Sequence, residues 1–522
     1  MRAGCAADST ALVCFARRRA SARTVLRNAL TTLLRHSAVY AVAEQLSRLA
    51  GFLLLPLTTG FLSPAEFGLR EILAVSLSLL AQIAGLHLGA AVSRFYFERA
   101  DPVERRNVIS TAVLAVGLLA ALIALLLGAS STYLARLLPG TDAESVTYVR
   151  LTVGIFAFQT LRELTNKVLQ TEQRSGLFAG LSLCKLLVEL TGQIVALAVL
   201  GMGLAGVLWA ILLSEALFAG LGVAIVLARA GLSFRASVFL PMLAYSLPLI
   251  PNGVLQFGLH SSDRYLVGAL AGDDALGLYA LGYKLGYIPN YLVLGPFLLI
   301  WYPFVFSLGE RSLQRETIGR LAHLVLSALG AVCLGVALFA RELTVASTGQ
   351  PDYFAAQAAI PWVALGYWLW GLFQFLQTGF YVEKQTARLP LLTLAALLVN
   401  VYVNGVLIPI LGFLGAAVST AITFGVLCAA TLPSAERIFP VHYRWNRILG
   451  PMALAVLIWL AAHAIPQDWS PWAQGSAKLV ALASWGSACW WGLTFNGAER
   501  ASALRELRRW LRRSPTRMGP AR

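Results

Sequence analysis

Charge is scarce in this chain. Asp, Glu, Lys and Arg make up 13% of its 522 residues, about half the share usual in a soluble domain. With 58% hydrophobic residues and a mean hydropathy of +0.71, that scarcity excludes a soluble globular protein. Acid is scarcer than base, 25 Asp and Glu against 41 Lys and Arg, which leaves a formal charge of +16. In a soluble chain such an excess would point to nucleic acid. Here the Lys and Arg residues gather at one set of loops and at both termini, the positive-inside pattern of a polytopic membrane protein, and no nucleic-acid partner is expected.

Cysteine is also sparse, with six residues scattered mostly through apolar segments, so neither a metal-ligand spacing nor a disulfide framework follows. No H-E-x-x-H, P-loop or G-x-S-x-G constellation occurs. The longest outward-facing loop runs only from about Ala129 to Tyr148, with Asp142 and Glu144 as its acids. A membrane glycosyltransferase, ligase or polymerase would need catalytic groups on larger loops. No catalytic residue, metal or cofactor is expected, and the chain does not read as an enzyme. The first 35 residues lack the compact apolar core and cleavage site of a signal peptide. They carry Arg17, Arg18, Arg19, Arg23, Arg27 and Arg35, which reads as a disordered cytoplasmic arm.

What the chain has in abundance is apolar runs of membrane-spanning length. Taking roughly 20 residues per span gives about fourteen, near 37–59, 67–91, 108–128, 147–169, 177–200, 204–228, 242–269, 276–306, 320–340, 354–381, 387–409, 412–432, 449–465 and 473–495. Arg94, Arg99, Arg105, Arg106, Arg174, Arg229, Arg235, Arg311, Arg315, Arg320, Lys384, Arg388, Arg437, Arg444 and Arg447 fall in loops after even spans. Loops after odd spans offer Arg136 and Arg341 beside Asp142, Asp273, Asp274, Asp352 and Asp468. That bias predicts both termini in the cytoplasm. The tail from Glu499, Arg-rich with Leu504, Leu507, Trp510 and Leu511 at helical spacing, reads either as an amphipathic segment on the inner leaflet or as a solvated tail.

Within the spans, one stretch has unusual polarity. Asn252, Gln256, His260 and Arg264 recur every four residues, with Asp263 beside the last, so a helix would carry them as a stripe. Polar groups at membrane depth normally face a bundle interior or a wet cavity. The stripe therefore reads as part of a pathway, or as an interhelical hydrogen-bonding seam. Pro248 and Pro251 precede it, where missing N–H groups allow a break.

Other intramembrane charges are Glu44 with Arg48, Arg70 beside Glu71, Arg162, Glu163 and Lys167, Lys185 with Glu189, and Lys284 between tyrosines. A cavity lined by Arg48, Arg162, Lys167, Arg264 and Lys284 would be slightly cationic and would suit a diphosphate or acidic sugar. The pairs Glu44 with Arg48, Glu163 with Lys167 and Lys185 with Glu189 would alternatively neutralise one another and ease insertion. Glu44, Glu189, Glu215 and Asp263 are candidates for coupling to protons or sodium.

The chain also repeats itself. Leu62 aligns with Leu270, Gly68 with Gly277, Glu172 with Glu383, Glu189 and Gln193 with Asn400 and Asn404, and Gly203 with Gly412, all at offsets between 208 and 211. An offset of about six helices keeps both copies in one orientation, as parallel repeats do. The expected organisation is a basic arm (1–35), two six-helix bundles (36–229 and 230–433), two additional helices (434–496) and a basic tail (497–522), an all-α polytopic membrane protein.

The motifs FLSPAEFGLREI, VSRFYFE at Val92–Glu98, YSLPLIPNG, SSDRYLVG, DALGLYALGYKLG and GFLGAAVSTAITF, in order from about Tyr40 to Leu432, resemble those of the Wzx-type oligosaccharide flippases of polysaccharide biosynthesis. These belong to the multidrug/oligosaccharidyl-lipid/polysaccharide exporter superfamily. The resemblance implies two bundles forming a V that opens to each side in turn. It implies export of an undecaprenyl-diphosphate-linked oligosaccharide across the bacterial cytoplasmic membrane, through a cationic cavity, with the lipid tail left in the bilayer. It further implies functional cations at Arg48, Arg70, Arg264 and Lys284; a polysaccharide polymerase or ligase is a candidate partner that the sequence does not decide. Substrate contact is expected at Arg48, Arg70, Arg162, Asn252, Gln256, Arg264 and Lys284. An ion-coupled multidrug exporter or a lipid II flippase of the same fold are the alternatives.

Overall fold

The computed structural model describes residues 54–136, 145–462 and 468–494, together with residues 52, 464, 466, 497, 500 and 501. Glu44, Arg48, the arm over 1–35 and the tail beyond residue 501 lie outside the described residues. Helix α1, Leu55–Phe61, stops where the backbone turns extended at Leu62. Ser63 then caps α2, Pro64–Ala84: its hydroxyl accepts from the Glu66 N–H, and the Glu66 carboxylate accepts from the Ser63 N–H at 2.9 Å. With Pro64 in the first turn, the sequence S-P-A-E is a complete helix start.

A left-handed turn at Leu86 and His87 leads into α3 (Leu88–Glu98). There follow α4 (Pro102–Ala129), α5 (Ser131–Ala135), α6 (Ser145–Thr171), α7 (Ser175–Ile194), α8 (Gly203–Ala230), α9 (Ala236–Ser246), α10 (Leu249–Ala271) and α11 (Asp273–Gly286). A π turn at Asn290–Leu294 joins α11 to α12 (Gly295–Ser307); then come α13 (Arg311–Leu338) and α14 (Ala340–Thr348). After a 3₁₀ segment, Pro351–Ala358, the chain continues as α15 (Ile360–Val382), α16 (Arg388–Leu411), α17 (Phe413–Ile438), α18 (Trp445–Ala462) and α19 (Pro471–Ala488). No strand occurs among the described residues.

The protein is a multi-pass membrane protein. Among the described residues nine helical segments are long and apolar enough to cross a bilayer, or eleven if each of two bent pairs is one span. One bent pair is α9 with α10, turned by 45° across Leu247 and Pro248, where the prolines predict a break. Of the expected spans, α6 falls outside this set, carrying Arg150, Arg162, Glu163 and Lys167, as does α19, which contains Gln474 and Lys478.

The repeated motifs adopt matching backbone geometry. Gly203 and Gly412, each opening a helix, have φ of +54° and +60°. Gln173 and Lys384, each following the repeated glutamate, are two of the few non-glycine residues with positive φ, both at 57°. Glu172 and Glu383 both hold arginines, Arg229 at 2.7 Å and Arg311 at 2.9 Å. The backbone conformation at these aligned positions thus agrees, although the two arginines are not themselves aligned.

Lipid tails are as apolar as leucine, so helix association rests on close packing and interhelical hydrogen bonds. Both appear here. α4, α6 and α8 pack together; α15 packs on α13 and α17, and α16 on α17; α18 and α19 rest on α13. Asn400 on α16 accepts from Ser262 on α10 at 3.2 Å and donates to Thr423 on α17 at 3.2 Å. Helix α2 is shared: one side meets α6, the other meets α10 and α11.

That second contact is closest where the repeat-related glycines meet. A Cβ on Gly277 would stand 1.8 Å from the Pro64 carbonyl oxygen, and one on Gly68 would stand 2.8 Å from the Asp273 carbonyl oxygen. Tyr353 donates to Leu62 O at 2.8 Å and Gln350 to Gly60 O at 2.8 Å, closing the same end. The other end of α10 touches too, with Gly253 against the side chains of Gln82 and His87. Gly277→Ala is expected to wedge the first seam apart. Phe67, fully buried beside it, would report this: a Phe67→Cys probe should react with a membrane-permeant thiol reagent at least ~10-fold faster in the Gly277→Ala background, as for a locally opened seam.

Candidate functional site

The site is built on α2, α10, α11 and α15. Helix α10 carries the polar stripe, but four-residue steps advance about 40° each beyond a full turn, so three of them sweep ~120° around the helix. The stripe consequently divides. Asn252 is exposed, Gln256 turns to Thr393 on α16 at 3.4 Å, and His260 and Arg264 face a cavity of about 810 Å³.

Arg264 is nearly enclosed. Its Nη1 donates to His260 O at 2.9 Å and to Asp263 Oδ1 at 3.2 Å, and its guanidinium lies 4.2 Å over the Tyr283 ring. Nε sits 3.6 Å from Glu71 Oε1, too far for a hydrogen bond, and is a buried donor with no acceptor. Lys284, on α11, reaches the other oxygen of Glu71 at 2.7 Å and lies 4.6 Å over the Phe67 ring. One carboxylate from α2 therefore stands between two cations from α10 and α11.

Asp263 lies behind this group. Its carboxylate takes the Arg264 N–H at 2.9 Å and the Tyr279 hydroxyl, and it does not line the cavity. The charged cavity-lining residues are thus Glu71, Arg264 and Lys284, an excess of one positive charge. Aromatic rings make up much of the remaining wall, Tyr283, Tyr287, Tyr291, Tyr367 and Trp370, with Gln374, Asn290, two serines and two leucines among them. Tyr287 and Tyr367 meet edge to face at 4.3 Å, and the Tyr283 and Tyr367 hydroxyls bond to each other. Such rings offer apolar faces with hydroxyl edges.

The other expected site residues lie elsewhere. Arg70 precedes Glu71 but does not line the cavity. Arg162 pairs with Glu215 on α8, Lys185 with Glu215 at 3.0 Å and with Glu189, and Gln193 donates to Glu189 at 3.1 Å. This second charged group, beside a separate hollow of about 350 Å³ between α6 and α7, holds Glu189. The Glu163–Lys167 pair does not form: Glu163 accepts from Gln159 at 2.9 Å and Lys167 donates to Gln170 at 3.3 Å. Glu71 is the residue missing from the expected set, although an acid followed by I-L-A-V-S-L-S-L-L was a signal that a buried partner exists.

A helical membrane fold shared with solved transporters is what these elements define. The chain superimposes on a lipid II flippase MurJ in an inward closed conformation with TM-score 0.68, 11% identity, and coverage of 87% of this chain and 99% of that one. An inward-facing multidrug resistance MATE transporter gives 0.61 at 16% identity, covering 75% and 94%. A transporter of the same superfamily from Pyrococcus furiosus gives 0.58 at 15% identity, covering 78% and 95%. No curated protein matches the sequence. The family model described as polysaccharide biosynthesis protein matches residues 58–349, more than half of the chain. The chain belongs to that family.

Truncating one member of a buried ionic group leaves its partner charged and unpaired, at ~3–5 kcal/mol. Glu71→Gln should therefore lower thermal stability in detergent more than the double variant Glu71→Gln/Lys284→Met does. A double variant less stable than the single one would show that Glu71 and Lys284 are not a coupled pair.

Proposed function

We propose that the protein moves a lipid-linked oligosaccharide with an anionic, diphosphate-type headgroup across the bacterial cytoplasmic membrane, for cell-surface polysaccharide synthesis. The observation that carries this reading is the unmatched Arg264 Nε beside Lys284 at the edge of an aromatic cavity. An unmade hydrogen bond to a buried donor costs about 1–3 kcal/mol. A phosphate oxygen would supply the acceptor, and guanidinium and phosphate match in bidentate geometry.

Glu71 holds the place such a phosphate would take. In the proposed cycle the headgroup draws Lys284 and Arg264 away from Glu71, which frees α2 from α10 and α11. The bundles over 36–229 and 230–433 then rock about the released seam. Tyrosine and tryptophan faces carry the sugars while the lipid tail stays in the bilayer. With both termini cytoplasmic, the Gly68–Gly277 seam is the outward closure, and the cycle alternates between that seam and the contact of Gly253 with Gln82 and His87. Arg70, Arg162, Asn252 and Gln256 would meet the headgroup only in another state of the cycle, since none lines the cavity described here.

The test is reconstitution. Vesicles holding equal amounts of folded protein and a fluorescent lipid-linked oligosaccharide should show transfer to the opposite leaflet above the protein-free rate. Arg264→Ala and Lys284→Ala should each cut the rate ~100-fold or more, the equivalent of about 2.7 kcal/mol lost from the crossing state. Transfer at the protein-free rate by wild type, or at the wild-type rate by both variants, rejects the proposal. Export of cationic drugs with no transfer of the glycolipid would favour the multidrug reading instead.

A further inference from the structure

A second amphipathic hollow lies on the far side of α15. Pro361, Trp362 and Leu365 face it, whereas Tyr367, Trp370 and Gln374 face the central cavity. At 100° per residue these two sets stand roughly opposite each other on the helix. The hollow is closed on its outer side by α18 and α19, the helices beyond the repeat.

It has two parts. The inner one is a narrow, almost wholly apolar crevice of about 80 Å³, reaching Cys333, Leu334, Met452, Ala455 and Val456. The outer one, about 470 Å³, shares Ala337, Pro361, Trp362 and Trp459 with it, and adds Arg341, Lys478, Gln357 and Gln474. No acid lines either part. Lys478 is held by Glu342, but Arg341 is exposed and forms no ion pair or side-chain hydrogen bond among the described residues. Trp469 and Trp472, 47% and 89% exposed, mark the same end of α19. Tryptophans of this kind sit at headgroup level. A cationic mouth at headgroup depth over a greasy slot has the polarity of a phospholipid, phosphate outward and chain inward.

We infer that this hollow is a binding site for an anionic membrane phospholipid, with the headgroup phosphate on Arg341 and Lys478 and part of one acyl chain in the crevice between α13, α15 and α18. The lipid acts as a wedge behind the cavity wall. Through Trp362 and Leu365 it touches the same helix that presents Tyr367 and Trp370 to the central cavity.

Native mass spectrometry of the full-length protein in detergent tests this, with phosphatidylglycerol and phosphatidylcholine of equal chain length as probes. One phosphatidylglycerol per chain should survive activation that strips phosphatidylcholine. Arg341→Ala should lower the retained fraction about 10-fold, as expected for loss of a charge-assisted contact. Ala337→Phe, which plugs the junction of the two parts, should do the same. Arg136→Ala, an exposed arginine away from the hollow, should change nothing. Equal retention of the two lipids overturns the inference, as does retention by Arg341→Ala at the wild-type level. Loss of the lipid in Lys284→Ala but not in Arg341→Ala would place it in the central cavity and equally overturn it. If Ala337→Phe fails to fold, Arg341→Ala decides alone. None of these outcomes bears on glycolipid transfer, which has its own assay.

Discussion

Two cations inside a membrane protein need anions, and here Asp263 holds Arg264 from its own helix while one carboxylate from another helix, Glu71, stands between Arg264 and Lys284. Glu71 lies on α2 while Arg264 and Lys284 come from α10 and α11, so charge compensation doubles as the bond between helices far apart in sequence. A buried ion pair breaks about even against a greasy contact in stability and is costly when one partner is removed. In the cycle proposed above its value is that it can be exchanged: a carboxylate in that position would yield to another anion where a leucine seam would not.

The surroundings of this ionic group are held by other contacts. Asp263 is held by Tyr279 and by the Arg264 backbone, and it accepts from the guanidinium in turn. Asn400 ties α10 to α16 and α17, fixing the helix that carries Arg264. The glycine contact at Gly68 and Gly277 brings backbones together, with Phe67 packed beside it against Leu281, Leu285 and Tyr353. The second charged group, around Arg162, Lys185, Glu189 and Glu215, links α6, α7 and α8 beside its own hollow.

Much of this was legible in the sequence, for identifiable reasons. Arg264 and Lys284 stood out because a charge in an apolar run has few explanations. The repeat could be read because glycines and the residues after Glu172 and Glu383 answer to backbone conformation, which matched at both copies. The polar stripe was half readable: spacing places residues on a helix, but drift around the axis separated Asn252 and Gln256 from His260 and Arg264. Glu71 was obscured by its neighbour Arg70, since adjacent opposite charges look self-contained although successive residues on a helix point about 100° apart. Arg162 was placed with the central cations because sequence gives depth in the membrane but not azimuth. Its real partner, Glu215, lies 53 residues away.

Helix α2 belongs to two neighbourhoods at once, and this has an evolutionary edge. Grafting the part of one relative before the bend at Leu247 onto the part of another after it would pair an α2 shaped in one lineage with an α10 and α11 shaped in a different one. Both the carboxylate and the bare glycine face would then have to fit strangers. Recombination should tolerate a crossover beyond α17 far better than one near the bend at Leu247.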